Sequence, residues 1–386
     1  MASRKIKVLF RHRSMEMGGV EKVLLSLLNN LDRKKFDFTV LLSLDQGELR
    51  NEIPAHVKKI SIARGKEDFS KNPFVFKAQL VLRRLKLEFL KRFPQLTDRF
   101  LLKDKFDVEI AMDWRDFGKV LNSSNKKSRK IAWFHSEINE KKIAVLVPQI
   151  IRQFPQFDHI VYCSDNIKKL MHREHPGLQY PPESVIINAV AIEEIKQKAA
   201  GPRPEMPSAP VFIAVGRLHT RKGFHKLMEA HARLISEGFK HSVMIIGDGE
   251  ERANLLQQQK KLGVERTFLL AGNKMNPYPY ISSANFFILP SESEAWPLVI
   301  AEALILQKPI IATDTGDVGL MIENRKTGLL INCNTEEIYR AMKEFLTDEN
   351  LVLNIKQNLL AIENQFDNQD IFNAVEQVLI NLTDKK

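Results

Sequence analysis

The amino-acid sequence predicts an α/β protein built from two parallel-sheet domains. Short apolar runs typical of buried strands alternate with longer amphipathic runs typical of helices along most of the chain. One polar, proline-rich segment, 196–210, interrupts this alternation. Because strands and helices alternate on both sides of it, we expect two sheets rather than a single long one. The predicted organisation is an N-terminal domain over 1–195, a linker over 196–210, a C-terminal domain over 211–365 and a final amphipathic helix over 366–386.

The composition narrows the class of protein. The chain has 386 residues, of which 44% are hydrophobic, and this is ample for a core and long for one domain. No apolar run reaches the length of a transmembrane helix, and residues 1–7 lack the apolar core of a secretory signal. The cysteines, Cys163 and Cys333, are too few for a disulfide framework or a metal cluster, so we expect a protein of a reducing cytoplasm. A formal charge of +11 indicates an anionic partner: nucleic acid, a membrane surface or a phosphorylated substrate.

A glycine pair stands between the first predicted strand, 6–10, and an amphipathic helix that begins after Gly18 and Gly19. Glycines at such a turn let a backbone or an anion approach closely, and the free N–H groups of the first helical turn favour phosphate. An ordinary turn is the alternative, because the Gly-x-Gly-x-x-Gly and P-loop patterns are both absent. Further strands of this domain are predicted at 38–44, 57–62, 108–112, 130–135 and 159–164.

The segment Lys71 to Lys105 is strongly basic and rich in leucine and phenylalanine. Ten lysine and arginine residues are accompanied by three acidic residues only. A basic helix with this apolar content can lie on an anionic bilayer, and we predict such a contact. The alternative is a core-facing helix with a solvated basic face.

A loop with two cations follows the first strand of the predicted C-terminal domain. The apolar run that begins at Val211 breaks at Gly216, and Arg217 and Lys222 precede a helix predicted over 224–236. A diphosphate bound at the mouth of a strand-loop-helix unit needs cations, and both side chains can reach it from this loop. Negative charge grows on a departing diphosphate, so fixed cations stabilise the transition state more than the ground state. Two exposed basic residues in a turn are the alternative.

An apolar strand, an acidic loop, a helix and a second strand follow one another in residues 286–313. The loop carries Glu292 and Glu294. The helix, predicted over 297–306, carries Glu302 within an otherwise apolar run. An unpaired carboxylate in such surroundings would be costly, so we expect Glu302 to bond to a specific partner.

These motifs together resemble a known family. Glu294 and Glu302 are separated by seven residues and followed by Ala-Leu, four residues and Pro-Ile-Ile-Ala-Thr, and Gly-Arg-Leu-(x)3-Lys-Gly occupies 216–223. The pattern resembles that of family 4 glycosyltransferases, retaining enzymes of the GT-B fold. The resemblance implies two Rossmann-like domains whose parallel sheets face across a cleft, with the C-terminal helix crossing back to the N-terminal domain. It also implies transfer of a sugar from a nucleotide diphosphate to an acceptor hydroxyl with retention at the anomeric carbon.

The resemblance assigns roles to the matching residues of the C-terminal domain. Arg217 and Lys222 would hold the diphosphate, Glu302 the nucleotide ribose and Glu294 the transferred sugar. Further donor contacts are implied for the neighbours of these residues in the two motifs: Gly216, Ala295, Trp296, Pro297, Leu298 and Val299.

Three residues of the N-terminal domain complete the implied site. Gly18 and Gly19 match a glycine pair that lies beside the donor diphosphate in the family. His135, at the end of the strand predicted over 130–135, matches a histidine that contacts the donor sugar. Without the resemblance, a histidine at a strand end is more often structural than catalytic. We count His135 with Arg217, Lys222 and Glu294 as the expected catalytic residues.

The partners and location follow from the same resemblance. A UDP-sugar is the favoured donor, and the acceptor is expected to be a glycan or a lipid-linked glycan of a capsule, lipopolysaccharide or similar surface polysaccharide. We expect no cofactor and no metal site, since an Asp-x-Asp motif is missing where a donor site needs one. The expected location is the cytoplasm, with peripheral contact to the inner face of the membrane through Lys71 to Lys105. Nucleic acid is not an expected partner, because the basic segment lacks a recognised binding motif.

Three other functions remain open from the sequence. A GT-B domain pair that has lost catalysis would bind a sugar nucleotide without turning it over. A sugar-nucleotide epimerase of the same fold would change the donor with no acceptor present. A nucleic-acid-binding protein is suggested by charge alone and would show salt-sensitive binding to DNA or RNA.

Overall fold

The computed structural model describes residues 4–135, 145–362, 366 and 368–384. The chain forms two compact units. The N-terminal unit comprises residues 1–189 together with 368–386, and the C-terminal unit comprises residues 190–367. In the described part of the chain, no helix is both long enough and apolar enough to cross a membrane.

The N-terminal unit contains a seven-stranded parallel sheet in the order β3-β2-β1-β4-β5-β6-β7. Its strands are β1 (Ile6–His12), β2 (Phe36–Asp45), β3 (Lys58–Arg64), β4 (Val108–Ala111), β5 (Arg129–Phe134), β6 (His159–Tyr162) and β7 (Glu183–Val185). Its helices before the second unit are α1 (Gly19–Asn30), α2 (Pro73–Arg92), α3 (Pro94–Thr97), α4 (Trp114–Leu121), α5 (Val147–Gln153) and α6 (Asp165–Glu174). The continuous apolar runs of the sequence arise because central parallel strands are covered on both faces.

A buried cluster of four charges ties the central strands together. Arg11 on β1 donates to Glu109 on β4 at 3.0 Å and to Asp98 at 2.9 Å. Lys130 on β5 donates to the other oxygen of Glu109 at 2.8 Å. Two cations face two carboxylates, so the cluster is balanced, as buried charges must be. Because Asp98 directly follows α3, the cluster also anchors the end of the basic segment to the sheet.

The C-terminal unit contains a six-stranded parallel sheet in the order β10-β9-β8-β11-β12-β13. Its strands are β8 (Val211–Val215), β9 (Ser242–Ile246), β10 (Phe268–Gly272), β11 (Phe286–Leu289), β12 (Ile310–Thr313) and β13 (Gly328–Ile331). Its helices are α7 (Ile192–Ala199), α8 (Phe224–Ser236), α9 (Arg252–Leu262), α10 (Tyr278–Ser283), α11 (Leu298–Ile305), α12 (Val318–Met321), α13 (Thr335–Thr347) and α14 (Glu349–Leu359).

Helix α7 begins inside the predicted N-terminal domain and covers the first residues of the predicted linker, 196–210. The boundary between the units lies after Ala189, six residues before the predicted one. Ile195 is buried, and acidic residues in the first turn and lysines in the last turn complement the helix dipole. A helix of two turns with one buried isoleucine leaves too weak a periodic signal to separate it from a polar linker.

The last helix, α15 (Asn368–Asp384), belongs to the N-terminal unit. Glu376 on this helix accepts hydrogen bonds from Lys35 Nζ at 2.6 Å and from the backbone N–H of Asp32 at 2.9 Å. Arg129 Nε donates to the carbonyl oxygen of Leu382 at 3.2 Å. The C-terminal end of the chain is therefore part of the first unit's packing.

Two histidines form a buried hydrogen-bonded pair in the C-terminal unit. His241 Nδ1 donates to the carbonyl oxygen of Phe239 at 2.9 Å, so its Nε2 accepts from His231 Nδ1 at 2.8 Å. His231 Nε2 then accepts from the Thr267 hydroxyl at 2.9 Å. Burial, together with His241, lowers the pKa of His231 to about 3, and burial lowers the pKa of His241. Both rings are therefore neutral at physiological pH.

We predict that the C-terminal unit loses stability in mild acid because of this pair. The folded unit binds fewer protons than the unfolded chain between the ordinary histidine pKa of 6.5 and the folded value of about 3. The free energy of unfolding should therefore fall by about 1.4 kcal/mol per pH unit for His231 alone as the pH drops through this window. Urea unfolding between pH 7.5 and pH 5 measures the slope.

A double variant, His231→Leu with His241→Leu, should flatten this slope, whereas His225→Gln on the same helix should leave it unchanged. An unaltered slope in the double variant would contradict the assignment.

Candidate active site

Three loops meet at the carboxyl edge of the second sheet. They follow the neighbouring strands β8, β11 and β12, and the carboxyl edge is where open parallel sheets bind ligands. The Glu292 N–H donates to the Arg221 carbonyl at 2.7 Å, which joins the first loop to the second. The Asp317 N–H donates to the Ala295 carbonyl at 2.9 Å, which joins the second to the third.

Two glycines set the spacing of these loops. Gly223 has φ +68°, and a Cβ atom there would lie 1.9 Å from the Pro290 carbonyl oxygen. Gly316 has φ +59°, and its Cβ would lie 2.0 Å from the Glu294 carbonyl oxygen. Both the left-handed conformation and the close backbone contact require glycine. The loops therefore stack backbone against backbone and hold their side chains in a defined arrangement.

An ion pair between Lys222 and Glu294 lies at the centre of this edge. Lys222 Nζ is 2.6 Å from Glu294 Oε1, and the two side chains are only 17% and 11% exposed. The aliphatic part of Lys222 passes over Gly216, where an added Cβ would lie 3.5 Å from the Lys222 Cε atom. Two residues predicted to bind different parts of one ligand, the diphosphate and the sugar, are thus in direct contact with each other.

Two other cations of this edge, Arg217 and Lys226, are also paired with carboxylates. Arg217 Nε lies 3.2 Å from Glu250 Oε2, and the arginine side chain is 73% exposed. Lys226 Nζ lies 2.8 Å from Glu292 Oε1. The structure thus directs Arg217 toward the loop after β9 and Lys222 toward the loop after β11, although both residues come from one loop. A bound anion would therefore approach each of these cations beside a carboxylate.

Glu302 is buried on α11, with 2% of its surface exposed. The Tyr278 hydroxyl donates to Glu302 Oε1 at 3.2 Å. The prediction that this carboxylate bonds to a specific partner is therefore confirmed. Sequence reasoning missed Tyr278, because nothing in the sequence links a tyrosine to a carboxylate 24 residues later.

The remaining predicted donor contacts surround the start of α11. Pro297 is the N-cap residue of this helix rather than its first residue, so the helix begins one residue later than predicted. Pro297 and Leu298 are buried, whereas Ala295, Trp296 and Val299 are half-buried.

The predicted residues of the N-terminal unit also lie at a carboxyl edge. Gly18 is the N-cap of α1 in an extended conformation, and a Cβ there would lie 2.4 Å from Glu21 Oε2. A Cβ on Gly19 would meet nothing within 4 Å, so this glycine borders open space. His135 directly follows β5 and stacks parallel to the Trp133 ring at 5.9 Å. Burial lowers the pKa of His135 to about 3, so its ring is neutral at physiological pH.

A second histidine at this edge was missed by the sequence analysis. His12 ends β1, is almost fully buried, and its Nε2 lies 3.1 Å from Glu21 Oε1. Burial opposes protonation of His12, but the bond to Glu21 and the nearby carboxylates of Asp116 and Asp113 raise its pKa overall. At this edge the pKa of His12 is thus raised, whereas the pKa of His135 is lowered.

Two family models match the chain and together cover most of it. The model described as glycosyltransferase family 4 matches residues 17–193, and the model of glycosyl transferases group 1 matches residues 196–360. The chain belongs to the family 4 glycosyltransferases. Relatives named as glycosyltransferases support the same class of enzyme, so the predicted transferase activity is confirmed.

One curated relative aligns over nearly the whole chain. It is the N-acetylgalactosamine-N,N'-diacetylbacillosaminyl-diphospho-undecaprenol 4-alpha-N-acetylgalactosaminyltransferase of Campylobacter jejuni, 27% identical over 88% of this chain and 89% of the relative. The lipopolysaccharide core biosynthesis glycosyltransferase LpsE of Rhizobium meliloti is 30% identical over 44% of this chain and 50% of the relative. The match to LpsE thus spans half the length of that protein.

Solved structures with the same fold confirm the predicted GT-B architecture. Anabaena HepE in complex with UDP-glucose superposes with a TM-score of 0.72 at 18% identity and covers 97% of this chain and 100% of that one. Sucrose-phosphate synthase from Thermosynechococcus elongatus superposes with a TM-score of 0.76 at 14% identity, covering 99% and 100%. Both likenesses show the fold, with its two parallel-sheet α/β domains.

We predict that Lys222 and Glu294 are energetically coupled in the free protein. Either single variant, Lys222→Met or Glu294→Gln, leaves a largely buried charge without its partner and should cost about 1–3 kcal/mol of unfolding free energy. The double variant should cost clearly less than the sum of the two single losses.

The pair Lys226–Glu292 is the matched control, because it joins the first turn of α8 to the same acidic loop and is more exposed. In the corresponding double-mutant cycle, the coupling free energy of this pair should stay below about 1 kcal/mol. Equal coupling energies for the two pairs, measured by urea unfolding, would contradict the prediction that the more buried pair is coupled more strongly.

Proposed function

We propose that this glycosyltransferase moves a sugar from a nucleoside diphosphate donor, with UDP-sugars favoured, to a hydroxyl of a glycan or lipid-linked acceptor with retention of configuration. The contact between Lys222 and Glu294 carries the proposal, because it brings a cation and a sugar-binding carboxylate together at the ligand-binding edge of the sheet. The Campylobacter relative is named for a diphospho-undecaprenol acceptor, and another relative for capsular polysaccharide biosynthesis. These names support assembly of a surface polysaccharide as the setting.

In this proposal Lys222 bridges the two halves of the donor. An ammonium group has three N–H donors, so Lys222 can keep its bond to Glu294 while it donates to a diphosphate oxygen. Glu294 retains acceptor positions for a hydroxyl of the transferred sugar. As the bond between the anomeric carbon and the diphosphate oxygen breaks, charge develops on the diphosphate within reach of Lys222. Arg217 adds a second cation once the diphosphate replaces Glu250 as its partner.

Retention follows if the acceptor attacks from the face that the diphosphate leaves. A new bond forms between the acceptor oxygen and the anomeric carbon while the old bond to the diphosphate breaks, and the acceptor proton passes to a diphosphate oxygen. We assign no protein nucleophile to this step. We also propose that the fixed cations make a bound metal unnecessary, and that the enzyme needs no cofactor.

The predicted residues of the N-terminal unit keep their proposed roles. Gly19 borders open space at the start of α1, where backbone N–H groups attract phosphate oxygens. Gly18 holds the turn beside Glu21. The neutral ring of His135 can donate to or accept from a hydroxyl of the donor sugar, which a protonated imidazole could not do equally.

Turnover of UDP-sugars tests the proposal. We predict that wild type releases UDP in the presence of acceptor and that Lys222→Ala lowers kcat at least about a hundredfold, as expected for loss of a group that stabilises the leaving charge. Lys226→Ala, in a neighbouring pair, should stay within about threefold of wild type. Excess EDTA should leave the rate unchanged.

The linkage of the product, read from its anomeric NMR coupling, should match that of the donor. An inverted linkage would overturn the proposed stereochemistry. Donor binding without turnover would favour the non-catalytic alternative, and a changed sugar nucleotide in the absence of acceptor would favour an epimerase.

We further propose that α2 attaches the protein to an anionic membrane surface. Leu87 and Leu90 pack against the hydrophobic core of the unit, whereas no residue of this 20-residue helix is fully buried. The opposite side, the outer face of α2, carries large apolar side chains in solvent: Phe74, Val81, Leu82, Leu85 and Phe89. Phe74 is 84% exposed. Contiguous exposed apolar surface of this kind marks interaction sites.

The charges beside the outer face of α2 favour an anionic bilayer as its partner. Lys77, Arg84 and Lys91 are exposed and spaced seven residues apart, so they form one line along the edge of the apolar face. Glu88 is the single acidic residue of the helix. Apolar residues that enter the lipid, with lysine and arginine at headgroup level, are typical of interfacial helices. Such contact would place the enzyme peripherally at the inner face of the membrane, where lipid-linked acceptors are.

Vesicle co-sedimentation tests this attachment. Wild type should bind vesicles containing about one third phosphatidylglycerol and lose most of this binding in high salt or on pure phosphatidylcholine. The triple variant Phe74→Ser/Leu82→Ser/Phe89→Ser should bind at least about tenfold more weakly. Leu353→Ser/Leu360→Ser, which changes exposed leucines elsewhere, is the control. Equal binding by both variants would overturn the proposal, and concentration-dependent dimers lost only in the triple variant would assign the face to a second copy.

A further inference from the structure

The phenol of Tyr278 touches the carboxylate that is proposed to bind ribose. Tyr278 is the first residue of α10, which follows the loop at the carboxyl end of β10. The residue is 8% exposed, and its hydroxyl donates to Glu302 Oε1 at 3.2 Å. The Tyr278 N–H donates to Asn276 Oδ1 at 3.2 Å, which fixes the start of the helix. Hydrogen bonds from both the backbone N–H and the hydroxyl of Tyr278 therefore hold the ring in position.

The direction of this hydrogen bond is unambiguous. Burial, together with the negative charge of Glu302, raises the pKa of Tyr278, so the phenol remains protonated. A protonated phenol facing a carboxylate donates, and Glu302 Oε1 accepts.

We propose that Tyr278 is a positioning residue for nucleoside recognition: its hydroxyl fixes the rotation of the Glu302 carboxylate so that the carboxylate can accept from the ribose hydroxyls of the donor. The inference rests on the proposed function in one respect, namely that Glu302 binds ribose. A terminal carboxylate torsion is broad when nothing constrains it. A hydrogen bond to one oxygen restricts that torsion and directs the remaining acceptor positions of both oxygens.

Tyr278 acts through Glu302 in this proposal, so its removal should weaken nucleotide recognition rather than the chemical step. Tyr278→Phe keeps the ring and deletes the oxygen only. The KM for the donor should rise about three- to tenfold while kcat stays within about twofold, because the lost interaction is equally present in ground state and transition state. A tyrosine that merely fills space would give no such division between KM and kcat.

The decisive readout is the dependence of binding on the ribose hydroxyls. Calorimetric titration compares UDP with 2′,3′-dideoxyuridine diphosphate on wild type and on Tyr278→Phe. Wild type should prefer UDP by about tenfold or more, since a carboxylate that has lost its hydroxyl partners is left unsatisfied. In Tyr278→Phe the preference should shrink to about threefold or less. Tyr280→Phe, on the same helix and outside the contact with Glu302, should behave as wild type.

A second variant separates positioning from folding. Glu302→Gln keeps the shape of the side chain, and adding Tyr278→Phe to it should change the UDP preference no further, because both substitutions act on one contact. This comparison stays informative if Tyr278→Phe alone proves unstable.

Each remaining outcome bears on a different claim. Failure of wild type to bind UDP would refute the proposed donor. Equal binding of UDP and its dideoxy analogue by wild type would refute ribose binding by Glu302, and the inference with it. Normal discrimination that persists in Tyr278→Phe would overturn the inference alone and leave the proposed function intact.

Discussion

The ion pair between Lys222 and Glu294 joins the loops that follow two neighbouring parallel strands, β8 and β11. Its geometry depends on the backbone contacts around it, since Gly223 and Gly316 allow the loops after β8, β11 and β12 to touch at distances that any side chain would prevent. The pair also defines the chemistry at this edge, because it places a cation beside the carboxylate expected to hold a sugar. In the proposed mechanism, substrate position and leaving-group charge are thus controlled by one contact.

The positive charge of the chain has two distinct places in the structure. At the carboxyl edge of the C-terminal unit, Arg217, Lys222 and Lys226 are each matched by a carboxylate. In the proposed mechanism Arg217 exchanges Glu250 for the diphosphate, whereas Lys222 keeps its bond to Glu294. In the basic segment, by contrast, the exposed cations Lys77, Arg84 and Lys91 lie beside the apolar outer face of α2. Within the part of the chain that the structure describes, no ion pair with a carboxylate is seen for these three. The basic segment, with ten cations and three acidic residues, therefore holds a large share of the net charge of +11.

The fold was predictable where hydrophobic runs have clear limits. Helix α8 was predicted at the bounds it has in the structure, and strand β12 ends at residue 313, as predicted. Helix α7 was missed, since two turns with one buried isoleucine resemble a linker. Site residues matched to motifs lie at the predicted strand ends, but their partners were not predictable. Periodicity and spacing carry no information on which side chains meet across loops, so the contact of Tyr278 with Glu302 emerged only from the structure.

The most direct test of the central claim, that Lys222 holds the donor diphosphate, is calorimetric titration of UDP and UMP into wild type and Lys222→Met. These ligands differ in the β-phosphate alone. We predict that wild type binds UDP at least about tenfold more tightly than UMP, and that Lys222→Met loses most of this difference while its affinity for UMP is unchanged. An undiminished preference for UDP in the variant would contradict the claim and place the diphosphate elsewhere.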